Sequence, residues 1–231
     1  MSVIEVVAVT KDYVEKGQIT TRALRGVDLT VEKGEFMAIA GPSGSGKTTL
    51  LNLIGALDTA TSGTIKIDGR KIGKMSQEAL SDLRRDRIGF VFQAYNLVPV
   101  LTAAENAEYV MELKGVPAGE RRKRIAELFE RMGMKELLDT RPLKMSGGQQ
   151  QRVAVARAIA SAPALVLADE PTANLDQTTG RALVELMREL NRERGITFVF
   201  STHDPMVLEQ ADRVVRLVDG KVASDERKKA A

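Results

Sequence analysis

Residues 41–48 read Gly-Pro-Ser-Gly-Ser-Gly-Lys-Thr, and this stretch restricts the possible folds more than anything else in the chain. It follows an apolar run, Glu35 to Ala40, and precedes a helix expected from Lys47 to about Leu57, so it joins a strand to a helix. Glycines at 41, 44 and 46 let successive backbone N–H groups converge on one point, and the positive end of the helix adds to the field there. A plain Gly/Ser turn would need neither a lysine nor a threonine at the helix start. In this context the spacing G-x-x-x-x-G-K-[ST] predicts a phosphate cradle built from Gly41, Pro42, Ser43, Gly44, Ser45, Gly46, Lys47, Thr48 and Thr49. Lys47 would reach the outer phosphates of a nucleotide, and Thr48 would offer its hydroxyl to Mg²⁺.

Other strands surround this unit. Val3 to Val9, Val27 to Val31 and Thr64 to Ile67 read as β, the last closed by the hairpin dipeptide Asp68-Gly69, so the N-terminal portion is expected to be β-rich. Ile88 to Phe92 is another strand. The pattern then changes: Thr102 to Glu105 form a capping box, and Ile125, Leu128, Phe129 and Met132 recur with helical spacing, so residues from about 102 to 160 read as helical. Alternation resumes with a strand Ala164 to Ala168, a helix carrying Leu183, Leu186, Met187 and Leu190, a strand Thr197 to Ser201, a short helix from Pro205 and a strand Arg213 to Val218. Strands alternating with helices imply a parallel sheet covered on both faces. The charge run Asp225 to Lys229 reads as a solvated end. A length of 231 residues suits one α/β domain with a smaller subdomain.

Asp169 and Glu170 follow the apolar strand directly, which brings both carboxylates to the edge of the sheet where ligands bind. Asp169 would hold Mg²⁺ and Glu170 would orient, or take a proton from, an attacking water. Paired acids at a strand end can also cap a helix or simply meet solvent; the phosphate loop upstream favours the chemical role. His203, just past another apolar strand, is expected at the same edge.

Lys144-Met145-Ser146-Gly147-Gly148-Gln149-Gln150-Gln151-Arg152 resembles the signature sequence of ABC ATPases, with Met145 in place of the usual leucine, a volume-conserving exchange. Ser146, Gly147 and Gly148 open a helix, a second start suited to an anion. The resemblance implies a P-loop NTPase of the ABC ATPase fold: a mixed sheet core with an N-terminal antiparallel β subdomain and a helical subdomain. It implies one domain over residues 1–231, with the nucleotide-binding core at 1–95 and 162–231 and the helical subdomain at about 96–161.

It further implies that ATP and Mg²⁺ are bound and that two copies pair head to tail, Ser146 to Gln149 of each closing over ATP held by the other. Tyr13 would stack on adenine, Gln93 would contact Mg²⁺ and water, Asn174-Leu175-Asp176 would communicate across the dimer, and His203 would contact the γ-phosphate. Leu51 to Gly55, Thr61 to Gly63, Ile88 to Gln93 and Ala168 to Thr172 resemble the branch of lipoprotein-release and macrolide-efflux ATPases. In that branch the partners are membrane permeases, commonly with a large extracytoplasmic domain, and the ATPase lies on the cytoplasmic face of the inner membrane.

Composition excludes several classes. The chain has no cysteine and one histidine, so neither a disulfide framework nor a thiolate or multi-histidine metal site is available. No apolar stretch approaches the roughly 20 residues of a membrane span, and no leader pattern is seen at the N-terminus, so a cytosolic chain is expected. Basic and acidic residues are interleaved at a net charge of +3, which gives no face for nucleic acid. The alternative is a soluble or regulatory ABC ATPase; the long heptad insertion or second cassette usual in soluble members that act on DNA or ribosomes is missing.

Overall fold

The computed structural model describes residues 1–15 and 18–228. Two long strands, β1 (Ser2–Glu15) and β2 (Gln18–Glu32), pair antiparallel, and β3 (Phe36–Ala40) leads into helix α1 (Lys47–Ile54). β4 (Ser62–Ile67) and β5 (Arg70–Lys71) follow, then α2 (Gln77–Arg87) and β6 (Ile88–Val91). Three helices come next, α3 (Ala103–Leu113), α4 (Ala118–Arg131) and α5 (Gly147–Ala160). The chain finishes with β7 (Leu165–Asp169), α6 (Gln177–Arg194), β8 (Thr197–Thr202), α7 (Pro205–Gln210), β9 (Arg213–Val218) and β10 (Lys221–Arg227).

These strands form two sheets, one of order β2-β1-β4-β5 and one of order β10-β9-β3-β8-β7-β6. The first is antiparallel throughout; in the second all neighbours are parallel except β10, which runs antiparallel on β9. Side-chain alternation places the parallel sheet between two cores. Phe36, Ala38, Val166, Ala168, Phe198 and Phe200 face a cluster supplied by α3 to α7. Met37, Ile39, Leu165, Leu167 and Val199 face the opposite cluster, made by α1 and the antiparallel sheet. The nearly continuous apolar strands of the sequence are thus explained by burial on both faces.

Three sequence expectations are corrected. Helix α1 stops at Ile54 rather than near Leu57, because Gly55 and then Ala56, at positive φ, turn the chain away. The run at Asp225 is not merely a solvated end: Asp225, Glu226 and Arg227 belong to β10, while Lys229 lies outside the described residues. The strand expected at Val3 to Val9 extends to Glu15, so Tyr13 sits inside β1, whose outer half carries too few buried residues to show a strand period. α2 was not anticipated either, since Leu83 is its one fully buried side chain. The Asp68-Gly69 turn appears as expected, joining β4 to β5 with positive φ at both residues.

The reason for β10 is ionic. The Arg213 side chain, 8% exposed, donates to both carboxylate oxygens of Asp225 at 2.7 and 2.6 Å, to Glu35 Oε2 at 3.0 Å and to the Thr30 carbonyl at 2.7 Å. It ties both sheets and the last strand together. Replacing Arg213 by Ala removes both of its bonds to Asp225 and leaves Glu35 with Arg227 alone, and a loss of about 1–3 kcal/mol in unfolding free energy is expected from denaturant titration. The Arg213 guanidinium holds the Asp225 carboxyl below its usual range. A depressed folded value stabilises the fold above the unfolded pKa, about 4, and the gain fades as acid protonates the group. The stability gap between wild type and Asp225→Asn is therefore expected to be full at pH 7 and to narrow below about pH 4.

Candidate functional site

Three adjacent strands, β3, β8 and β7, end at the same level. Ala40 pairs with Thr202, and Ser201 with Asp169, so the loops after all three strands start from one edge. The loop after β3 is residues 41–46, that after β7 begins with Glu170, and that after β8 begins with His203.

The first loop wraps tightly around the start of α1. Gly46 caps the helix at φ 100°, and a Cβ there would lie 2.6 Å from the Ala23 carbonyl. A Cβ on Gly41 would lie 2.2 Å from the Leu217 carbonyl. Both positions therefore require glycine, and the loop is clamped by β2 on one side and β9 on the other. Ser45 is buried, and its hydroxyl has no partner among the described residues. Lys47, 8% exposed, turns its ammonium onto the carbonyls of Gly41 and Pro42 at 2.8 and 3.0 Å, held at the mouth of the cradle.

The Thr48 hydroxyl donates to Asp169 Oδ1 at 3.1 Å. A hydroxyl and a carboxylate oxygen at that spacing suit a hard cation that takes its remaining ligands from water and substrate phosphate, as Mg²⁺ does.

Glu170 is held from three directions. It stands at φ 44°, its N–H donates to the Ser201 carbonyl at 2.8 Å, and its carboxylate accepts from Thr202 Oγ1 at 3.2 Å and from His203 Nδ1 at 2.8 Å. A carboxylate only accepts, so Nδ1 carries the hydrogen in this arrangement. A residue other than glycine at positive φ is costly and persists only where its surroundings impose it.

These groups share a cleft of about 930 Å³ that is lined by Tyr13, Pro42, Ser43, Gly44, Gly46, Lys47, Thr48, Thr49, Gln93, Glu170 and His203. Gly41 and Ser45 form the loop beneath it, and Asp169 reaches it through Thr48. The Tyr13 hydroxyl also donates to Asp58 at 3.3 Å. Thr20 to Ala23, Arg25, Asp219 and Gly220, none of them singled out by the sequence patterns, complete the wall with Ala173. Thr202 was missed as well, although two hydroxyl residues ending an apolar strand are an unusual pair.

Ser146, Gly147, Gly148 and Gln149 are absent from this cleft. They line a second one of about 400 Å³ together with Asn174, Leu175 and Asp176. Ser146 and Gln149 cap each other reciprocally at the start of α5. Gly148 lies so close to Thr179 that a Cβ would approach its methyl to 2.5 Å. Asp176 caps α6 through Thr179, whose hydroxyl and backbone N–H hold its carboxyl below the usual range. Asn174 donates to the Gln93 carbonyl at 2.9 Å. Residues 170–176 therefore run from one cleft to the other.

Residues 24–173, well over half of the chain, match the family model described as ABC transporter. The chain belongs to the ABC transporter family. It is 48% identical over 222 residues to the lipoprotein-releasing system ATP-binding protein LolD 1 of Rhodopseudomonas palustris, covering 96% of this chain and 98% of that one. It is 42% identical over 229 residues to the macrolide export ATP-binding/permease protein MacB of Aggregatibacter actinomycetemcomitans, covering 99% of this chain and 35% of that protein. Its fold is that of ABC ATPase cassettes: a dimeric, post-hydrolysis structure of the ATP-binding cassette MJ0796 bound to ADP and Pi matches with a TM-score of 0.91 at 43% identity, covering 99% of this chain and 100% of that one. The protein is thus the ATP-binding part of an ABC transporter, and ATP hydrolysis is the activity that membership implies.

The tightness of the cradle is testable. Gly46→Ala forces a Cβ into the Ala23 carbonyl at a left-handed residue, so a stability loss of about 1–3 kcal/mol and loss of ATP binding by titration are expected.

Proposed function

We propose that this cassette hydrolyses ATP with Glu170 as general base, in a head-to-tail pair with a second copy, and that closing and reopening of the pair drives separate membrane permease subunits. The observation that carries the reading is the separation of the two clefts. The phosphate cradle and the helix start at Ser146 open on different parts of one chain, so a nucleotide lying between both needs a second copy.

In the proposed reaction the carboxylate of Glu170 takes a proton from water, the water oxygen bonds to the γ-phosphorus, and the bond to the departing ADP oxygen breaks. Lys47 and the N–H groups of Gly41 and of residues 43–49 bind and neutralise the phosphates, His203 and Gln93 position the γ-phosphate and the water, and Tyr13 packs on the base. Thr48 and Asp169, with Gln93, would hold Mg²⁺, which when bound neutralises phosphate charge. Ser146 to Gln149 and Asp176 act on the partner copy's nucleotide. The helical part, about 96–161, is the body that swings in this reading, against a core of 1–95 and 162–231.

The permease partner is supported by the match to about a third of an ATP-binding/permease protein, in which the membrane part shares one chain with the cassette. No helix among the described residues is long and apolar enough to cross a membrane, so the cassette would attach peripherally, on the cytoplasmic face of the inner membrane. A permease with a large extracytoplasmic domain, moved mechanically for export or lipoprotein release, is the partner proposed.

Glu170→Gln is expected to bind ATP normally, to lose at least about 100-fold in turnover and to accumulate as an ATP-dependent dimer on size-exclusion chromatography. Turnover at the wild-type rate would remove Glu170 from its role. Lys47→Ala is expected to lose ATP binding; unchanged affinity in a nucleotide titration would overturn the cradle. Gentle solubilisation of membranes with tagged Glu170→Gln, ATP and Mg²⁺ should recover a multi-spanning protein in stoichiometric amount, and recovery of the cassette alone would count against transport coupling.

A further inference from the structure

We infer that Thr202 is the positioning residue for the Glu170 carboxylate, an inference that rests on the proposed role of Glu170 as base. The two partners of that carboxylate are unequal. His203 is 72% exposed in its side chain and free to turn toward a ligand, whereas Thr202 is 0% exposed at the end of β8. A β-branched side chain on a buried strand has little rotamer freedom, so the rigid anchor is the Thr202 hydroxyl, donated to Oε2 at 3.2 Å.

The anchor is itself braced. Thr202 Oγ1 accepts from the Asp204 N–H at 3.0 Å, and Asp204 Oδ2 accepts from Thr172 Oγ1 at 2.7 Å. The other Asp204 oxygen is used by the Met206 N–H at 2.9 Å, as the cap of α7. Thr172 lies two residues beyond Glu170, so the chain Glu170–Thr202–Asp204–Thr172 returns to the loop that carries the base. Such a closed set of hydrogen bonds fixes a side chain far better than one contact does. With the N–H of Glu170 pinned to the Ser201 carbonyl, both the backbone and one carboxylate oxygen are held by β8. The second oxygen accepts from His203 Nδ1, and when His203 turns toward a ligand that oxygen is released to meet water. Thr202 touches no reacting atom in this scheme; it decides where Glu170 points.

The test compares Thr202→Val, which keeps the shape and removes the hydroxyl, with Thr202→Ser, which keeps the hydroxyl. Thr202→Val is expected to lower kcat about 10- to 100-fold while KM for ATP stays within about twofold, the signature of a misplaced group rather than lost binding. Thr202→Ser should stay within about threefold of wild type. If the valine variant melts early, Thr202→Ala in the same assay takes its place with the same expectation. A readout other than turnover is the ATP-dependent dimer, which Thr202→Val should prolong on size-exclusion chromatography. In the Glu170→Gln background the valine change should alter the residual rate by less than about twofold, since the group it positions is gone.

Wild-type turnover of Thr202→Val, or a serine variant as slow as the valine one, overturns the inference, provided Glu170→Gln is inactive. Glu170→Gln at the wild-type rate instead brings down the base assignment, whatever Thr202 does.

Discussion

Parallel pairing of β3, β8 and β7 in register is the constraint on which the rest depends. Phe36 to Ala40 lie beside Phe198 to Thr202, and Leu165 to Asp169 beside Thr197 to Ser201, without a shift. A one-residue slip would exchange the two faces of a strand, turning Phe198 and Phe200 from the helical cluster toward that of α1. Because both faces are buried, the register is strongly specified, and it places the loop of residues 41–46, Asp169, Glu170 and His203 at one edge. The polar edge is thus positioned by the most apolar part of the chain.

The loops add what the sheet cannot. The cradle is compressed between the carbonyls of Ala23 and Leu217, Glu170 is held at positive φ, and the helix start at Ser146 is packed against Thr179. Each is a place where a local cost is imposed by surrounding contacts, as expected where a binding geometry has to exist before the ligand arrives.

The parts of this architecture that were legible in the sequence share one property: their signal is local. Gly41 to Thr48, the capping residues Thr102 and Ser146, and the apolar strands ending at Ala168 and Ser201 announce themselves within a few positions. What was hidden depends on distant partners. The outer halves of β1 and β2 carry mixed, largely exposed side chains and are held by pairing with each other, so no period shows. α2 buries one leucine. β10 looks like a charged end until Arg213 is seen to hold Asp225. Thr202 lies 32 positions from Glu170, and only folding brings the two together. The separation of the Ser146 cleft from the Lys47 cleft is likewise invisible before the chain is assembled, although the resemblance carried by residues 144–152 implied it.

That separation has a consequence for how such a chain is governed. If a nucleotide is completed only by a second copy, the free cassette is idle by geometry and needs no inhibitor. Its activity then follows the local abundance of other copies. In the proposed assembly, two cassettes seated on one membrane partner would meet at an effective concentration of roughly millimolar order, far above that of dilute chains in solution. Attachment to the membrane machine would itself act as the switch, confining ATP consumption to places where the resulting motion has something to push.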